Sequence, residues 1–195
     1  MPSRCFLALT LPDRVVRTLG AARDTFLASA PDWAGEKWVT STLLHVTLAF
    51  LGPLDEDDLD AGVLHMRGAA ALVPAFDLRL DKVIALPSLG RATMLWATLQ
   101  DPAGALNGLR DDLLAAFPSA ERGSDRPLRP HVTLVRSRTP RHVDGGTLAA
   151  TSLLVSPSGK GPDGIVSVRS VTLFSSTLRP AGPEYREMAV AELAR

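Results

Sequence analysis

The word His-Val-Thr-Leu is written twice in this chain, at residues 45–48 and 131–134, and it takes up two of only four histidines. The neighbours of each copy are apolar and β-forming: Leu43, Leu44, Ala49 and Phe50 around the first, Val135 after the second. Both copies therefore read as strands. On a strand, residues two apart share a face. His45 then projects beside Thr47, and His131 beside Thr133, while Val46, Leu48, Val132 and Leu134 point into a core. Each strand offers one imidazole and one hydroxyl on an apolar anchor. Two such pairs facing one another can grip a phosphate and move protons on both sides of it. That is acid–base chemistry that needs neither a metal nor a covalent nucleophile.

The rest of the chain narrows the setting. Its 195 residues suffice for one sizeable core, and 46% hydrophobic with 22% charged residues is ordinary globular composition. No apolar run reaches the roughly 18 residues of a membrane span. Residues 5–11 are apolar, but Pro12-Asp13-Arg14 stops them without a cleavage-site pattern, so a strand is expected there rather than a signal peptide. Cys5 is the single cysteine, which excludes an internal disulfide and fits a reducing, cytoplasmic setting. With 21 basic and 21 acidic residues the net charge is zero, so a broad nucleic-acid-binding face is not indicated. A terminal piece of RNA needs only a local positive patch. Lysine is confined to Lys37, Lys82 and Lys160, and arginine carries the other positive charges.

Periodicity sets out the elements. A strand is expected over residues 4–11, and a helix over 12–28 with Val15, Val16, Leu19, Ala22 and Phe26 inside. Trp38-Val39 opens a short strand, and Gly52-Pro53 is expected to end the first motif strand. Asp55 caps a helix with Leu59, Val63 and Met66 on its apolar side. Strands follow at 76–85 and 94–100, then a helix at 102–117 with Leu106, Leu109, Leu113 and Leu114 inside. The loop 118–130 leads to the second motif. Residues 138–152 give no clear pattern, and 156–164 read as an exposed, mobile Gly/Pro/Ser loop. Three strands close the chain at 166–169, 171–176 and 186–193, the last with a helical alternative. Strand–helix–strand–strand units on both halves point to a duplicated α+β plan with two sheets.

Other chemistries lack their signatures. The two motif histidines have no His/Cys/Asp/Glu cluster beside them, and His-Glu-x-x-His is absent, so no metal site is expected. Gly159-Lys160-Gly161 lacks the phosphate-loop frame. There is no Gly-x-Ser-x-Gly elbow. His65 and His142 have no matching partners and read as surface or packing residues.

Taken together, these residues resemble a known family, the 2H phosphoesterases, which carry two His-x-Ser/Thr-x motifs. Within it the chain is similar to the bacterial and archaeal RNA 2′,3′-cyclic phosphodiesterases, historically called 2′-5′ RNA ligases. Residues 6–9 (Phe-Leu-Ala-Leu) resemble the family's first strand. Trp38-Val39 with residues 44–52 resembles the first signature, and residues 129–136 the second, where Ala is commoner than Val135. Residues 173–176, with Gly182 and Tyr185, resemble the C-terminal signature, where Glu is common in place of Ser175.

The resemblance implies a bilobal, duplicated α+β fold over residues 1–195. Two antiparallel sheets flanked by helices would be related by a pseudo-twofold, with a central cleft. It implies metal-independent, cofactor-free opening of RNA 2′,3′-cyclic phosphate ends to 2′-phosphates. His45 and His131 would be catalytic, His45 as acid and His131 as base, and Thr47, Thr133, Arg136 and Phe50 would bind substrate. Arg136 would hold phosphate, and Phe50 would line the base or sugar site. Simple alternation turns both away from the histidines, so each role requires a bulge or a strand end. The expected partner is RNA with a cyclic-phosphate end or a small cyclic nucleotide, met by a monomer away from membranes. Sister activities on 2′-5′ oligoadenylate or nucleotide-derived cyclic phosphates, and a non-catalytic RNA-end binding module, are the alternatives.

Overall fold

The computed structural model describes residues 3–118, 127–155, 164–180 and 182–195. β1 (Ser3–Thr10) leads to α1 (Asp13–Ser29), which buries Val15, Leu19, Ala22 and Phe26 in one stripe at helical spacing. A 3₁₀ turn (Pro31–Trp33) precedes the short β2 (Lys37–Trp38), and a second (Ser41–Leu43) precedes the first motif strand β3 (His45–Leu54). The Asp55 carboxylate accepts from the Asp58 backbone N–H at 2.9 Å and caps α2 (Glu56–Ala70), as its position before the apolar pattern predicts. β4 (Phe76–Leu86), β5 (Ala92–Gln100) and α3 (Ala105–Ala115) precede the second motif strand β6 (His131–Arg141). The chain closes with α4 (Gly145–Val155), β7 (Ile165–Val168), β8 (Ser170–Arg179) and β9 (Gly182–Glu192).

Among the described residues, nine strands form one antiparallel sheet in the order β7-β4-β5-β6-β3-β1-β8-β9, with β2 pairing to β6. Four strands lie on each side of the β6/β3 junction. α1 packs on α4 and α4 on β4, while α2 packs on β9 and α3. The α2–α3 approach is close at Gly62, where an added Cβ would overlap the Phe117 ring.

The two separate sheets expected from the sequence are instead one sheet with a narrow waist. β3 and β6 share a single residue pair, Val46 with Val132. Two residues further along β6, Val39 N–H reaches the Leu134 carbonyl, and β2 then pairs with Val135 and Arg136. β6 thus trades β3 for β2 as its neighbour, and the sheet opens as a wedge beside the motif residues. Arg141 at the far end of β6 ties down the segment before β2, with bonds to Glu36 at 2.6 Å and Asp32 at 3.1 Å.

One further expectation needs correction, and two readings left open by the sequence are decided. Gly52-Pro53 does not end β3: Gly52 takes a positive φ of 74°, and pairing with β1 continues to Leu54. Pro53 lies beyond the pair with β6, where its missing N–H breaks no ladder on that side. Residues 138–152 contain the end of β6 and most of α4, capped by Asp144, whose carboxylate accepts from Thr147 N–H at 2.8 Å. β9 is a strand throughout, paired with β8 from Ser170/Glu192 to Arg179/Gly182. Most of the expected 156–164 loop, and residues 119–126 of the loop before the second motif, lie outside the described residues. No helix among the described residues is long and apolar enough to cross a membrane.

Candidate active site

The two motif strands share one local geometry. Both begin with the same order of exposure: a half-buried histidine, a buried valine, a half-buried threonine, two buried apolar residues, and an exposed sixth residue. The two adjacent buried residues mark a β-bulge. In β3 the pairing with β1 steps from Ala8/Thr47 to Leu7/Ala49, which leaves Leu48 as the extra residue. In β6 the pairing with β5 steps from Trp96/Thr133 to Leu95/Val135, which leaves Leu134 as the extra residue. Each bulge shifts the alternation by one position. Phe50 and Arg136 therefore leave the core side and join the face that carries the histidines and threonines.

The Val46/Val132 pair fixes how the two words meet. In an antiparallel pair, one step on either side sets His45 opposite Thr133 and His131 opposite Thr47. Each imidazole thus lies across from the hydroxyl of the other copy. Both rings are anchored alike. His45 Nδ1 donates to the Leu43 carbonyl at 2.7 Å, and His131 Nδ1 donates to the Arg129 carbonyl at 2.8 Å. A carbonyl only accepts, so Nδ1 carries the proton and Nε2 is the basic nitrogen of each neutral ring. His45 Nε2 also lies 3.0 Å from Thr47 Oγ1.

Burial holds both imidazoles below the ordinary histidine value. The bonds to Leu43 and Arg129 oppose that shift, and the positive charge of Arg136 adds to it at both rings. The charge of His45 acts on His131 in the same direction. One guanidinium felt by both histidines places Arg136 at their shared cleft. Its Nη1 donates to the Met94 sulfur at 2.9 Å.

The two rings have different surroundings. His45 sits among Phe6, at 5.2 Å between ring centroids, and Tyr185, edge-on at 5.5 Å. Phe50 is 69% exposed and touches the same cluster through Phe6 at 6.1 Å. A hollow of about 350 Å³ adjoins His45, lined in part by Thr10, Asp13, Ser41, Thr42, Phe174 and Tyr185. A larger hollow of about 510 Å³, between α2 and β9, holds no histidine and lies away from this chemistry. His131 instead stacks flat on Trp96. His65 on α2 and His142 after β6 are both exposed, as expected. Among the described residues, no group of three or more His, Cys, Asp or Glu is placed to hold a metal ion.

Sequence reasoning gave no site role to two residues of this face. Tyr185, noted only as part of the C-terminal signature, comes from β9, more than a hundred residues away in the chain, and spacing carries no sign of its approach to His45. Trp96 had a usable signal: it sits mid-strand, and Met94, Trp96 and Thr98 alternate with the buried Leu95, Ala97 and Leu99.

The model of the 2′-5′ RNA ligase superfamily matches residues 12–177. The chain belongs to this superfamily. Among its relatives is the RNA 2′,3′-cyclic phosphodiesterase of Escherichia coli, 32% identical over 136 residues, which cover 69% of this chain and 72% of that protein. The protein of the same name from Methanothermobacter thermautotrophicus is 28% identical over 193 residues, covering 99% of this chain and all of the relative. In structure the superfamily fold is shared with TT0787 of Thermus thermophilus, with a TM-score of 0.73 at 25% identity over 97% of both chains. Apo LigT of E. coli aligns with a TM-score of 0.71 at 25% identity, covering 100% of this chain and 99% of that one.

Proposed function

We propose that this protein opens RNA 2′,3′-cyclic phosphate ends by hydrolysis and leaves a 2′-phosphate, using His45 and His131 as its acid–base pair and no metal. The observation that carries this reading is the matched anchoring of the two imidazoles. Each Nδ1 is held by the carbonyl two residues before it, so two basic Nε2 atoms are available beside one guanidinium. The relatives named RNA 2′,3′-cyclic phosphodiesterase support the choice of substrate.

In the reaction, His131 starts neutral and His45 protonated. Water attacks phosphorus in line with the departing ribose O3′. The water gives its proton to His131 Nε2, the P–O3′ bond breaks, and O3′ takes the proton from His45 Nε2. Phosphate stays on O2′. Protonated His45 donates through Nε2 to Thr47 Oγ1 until the leaving oxygen arrives, because a hydroxyl both gives and accepts. Thr47, Thr133 and Arg136 bind the non-bridging oxygens and offset the charge that grows on them. Phe50, exposed at the rim, offers its ring face to the base or sugar. The functional unit is a monomer of two halves, related by an approximate twofold through the Val46/Val132 pair.

The test is RNA ending in a 2′,3′-cyclic phosphate, incubated with excess EDTA and followed by phosphorus NMR against both authentic monophosphates. A single 2′-phosphate product is expected. The kcat/KM profile should be a bell centred below the ordinary imidazole pKa of about 6.5, because both rings are shifted down. A 3′-phosphate or mixed product overturns the regiochemistry. Loss of turnover in EDTA with rescue by a divalent ion overturns the metal-free mechanism.

A further inference from the structure

The closest ring contact in the cleft belongs to a residue that the proposed chemistry does not use. Trp96 stands in the middle of β5, where its Cα partner on β6 is Thr133, while Thr98 pairs with His131. Its indole covers the His131 imidazole with centroids 3.5 Å apart and planes 14° from parallel. Two neutral aromatic rings prefer an offset or edge-on arrangement. A cation prefers the face of an indole above other aromatic faces. The geometry therefore suits a charged imidazole better than a neutral one. Trp96 Nε1 is buried and has no hydrogen-bond partner among the described residues, so its polar handle does not account for its place. Its ring face does.

The groups around His131 make this contact more telling. Arg136 on its own strand and His45 on β3 are both cationic or become so, and both oppose a proton on His131. Burial opposes it too. From β5 the neighbour is Thr98, whose hydroxyl turns away to Asp81 Oδ2 at 3.3 Å and the Lys82 carbonyl at 3.1 Å on β4. The Arg129 carbonyl at Nδ1 favours the charged ring, and the indole lies flat against the face of that ring. Among the described residues, His45 has no flat stack: Phe6 is tilted by 40° and Tyr185 lies at 87°.

We propose that Trp96 is a positioning residue for His131, with its indole face setting the plane of the imidazole and stabilising that ring as it takes the proton of the attacking water. The inference rests on the phosphodiesterase reading, with His131 as base. In that step the water O–H bond breaks, its oxygen bonds to phosphorus, and the proton goes to Nε2. The resulting imidazolium keeps its Nδ1–H on Arg129 and lies against the indole. Gripped at one edge by a carbonyl and on one face by an indole, the ring needs little reorganisation as charge develops.

The experiment compares Trp96→Leu, which keeps an apolar cover without a π face, with Trp96→Phe, which keeps a weaker one. The imidazole carbon-bound protons are titrated by NMR without substrate, and His131 is assigned with His131→Ala. In Trp96→Leu the His131 midpoint should move to lower pH while the His45 midpoint stays in place. Turnover should fall about fivefold to tenfold in kcat with KM within about twofold, the rate equivalent of one lost cation–π contact. Trp96→Phe should lie between wild type and Trp96→Leu in both readouts. If the leucine variant does not fold, the phenylalanine variant decides alone, and its His131 midpoint must still fall. An unmoved midpoint overturns the inference, as does a loss confined to KM, which would make Trp96 a platform for substrate. The titration involves no catalysis. A His131→Ala enzyme with near-wild-type turnover would therefore sink His131 as the base, whereas an unmoved midpoint sinks the role of Trp96 alone.

Discussion

β3 and β6 present the same four residues in the same geometry and surround them differently. Each places a histidine, a threonine and a bulged leucine in the same order, and each pins Nδ1 to a carbonyl two residues back. Beyond that the likeness stops. β3 continues with Phe50 and sets His45 among Phe6 and Tyr185. β6 continues with Arg136 and lays His131 on Trp96. The difference teaches that a repeated strand can supply two like imidazoles and still set them in unlike surroundings. Under the proposed function, two identical sites would hold a cyclic phosphate in either of two orientations, and the unequal companions would select one.

The most severe challenge to this comparison is to remove one carrier at a time. His45→Ala and His131→Ala should each cut turnover by roughly 10²–10⁴, the usual contribution of one acid or base. Both variants should fold, because neither ring belongs to the fully buried core. Steady-state kinetics with circular dichroism checks this, and near-wild-type turnover in either variant would break the pairing.

A smaller effect is expected at the position where the strands part company. Arg136→Lys keeps the charge and loses the fork, so kcat/KM should fall by roughly tenfold to a hundredfold if the guanidinium makes paired bonds to phosphate. Phe50→Leu should act mainly on KM, since an exposed ring contributes stacking rather than proton transfer. Equal responses from the two substitutions would erase the division of labour between the strands.

The sharpest probe is the hydroxyl pair. Thr47→Val and Thr133→Val keep the shape and remove the oxygen, and each should cost about 1–3 kcal/mol in transition-state binding. The Thr47 variant should also change the titration of His45, because of the two motif threonines it is Thr47 whose hydroxyl is bonded to a motif imidazole among the described residues. Matched titration changes at both histidines would mean that the asymmetry at Nε2 has no consequence in solution.

The sequence revealed most where a local rule decides the outcome. The strand words, the stripe on α1 and the Asp55 cap follow from period and chemistry, and the structure has them where those rules put them, except that Val16 of the expected α1 stripe is half-buried beside the hollow near His45. Alternation could state the condition for Phe50 and Arg136 to reach the cleft, a bulge in each strand, but could not locate it. The bulges arise from pairing with β1 and β5, which is tertiary information. α4 escaped because its small and β-branched residues, such as Thr147, Ala149, Ala150 and Thr151, leave a weak helical stripe behind two glycines. Its one legible signal was Asp144 as a cap. The continuous sheet was hidden because a single pair, Val46 with Val132, makes the connection.

That single pair also acts as a fulcrum. Any flexing of one half of the sheet against the other turns about the place where they are joined, and points beside a pivot travel least. His45 and His131 are the immediate neighbours of Val46 and Val132. The rim, with Phe50 on one side and the strands beyond β5 on the other, stands further out on the lever arms. Under the proposed function, a bulky substrate that spread the two halves at the rim would leave the gap between the two imidazoles nearly constant.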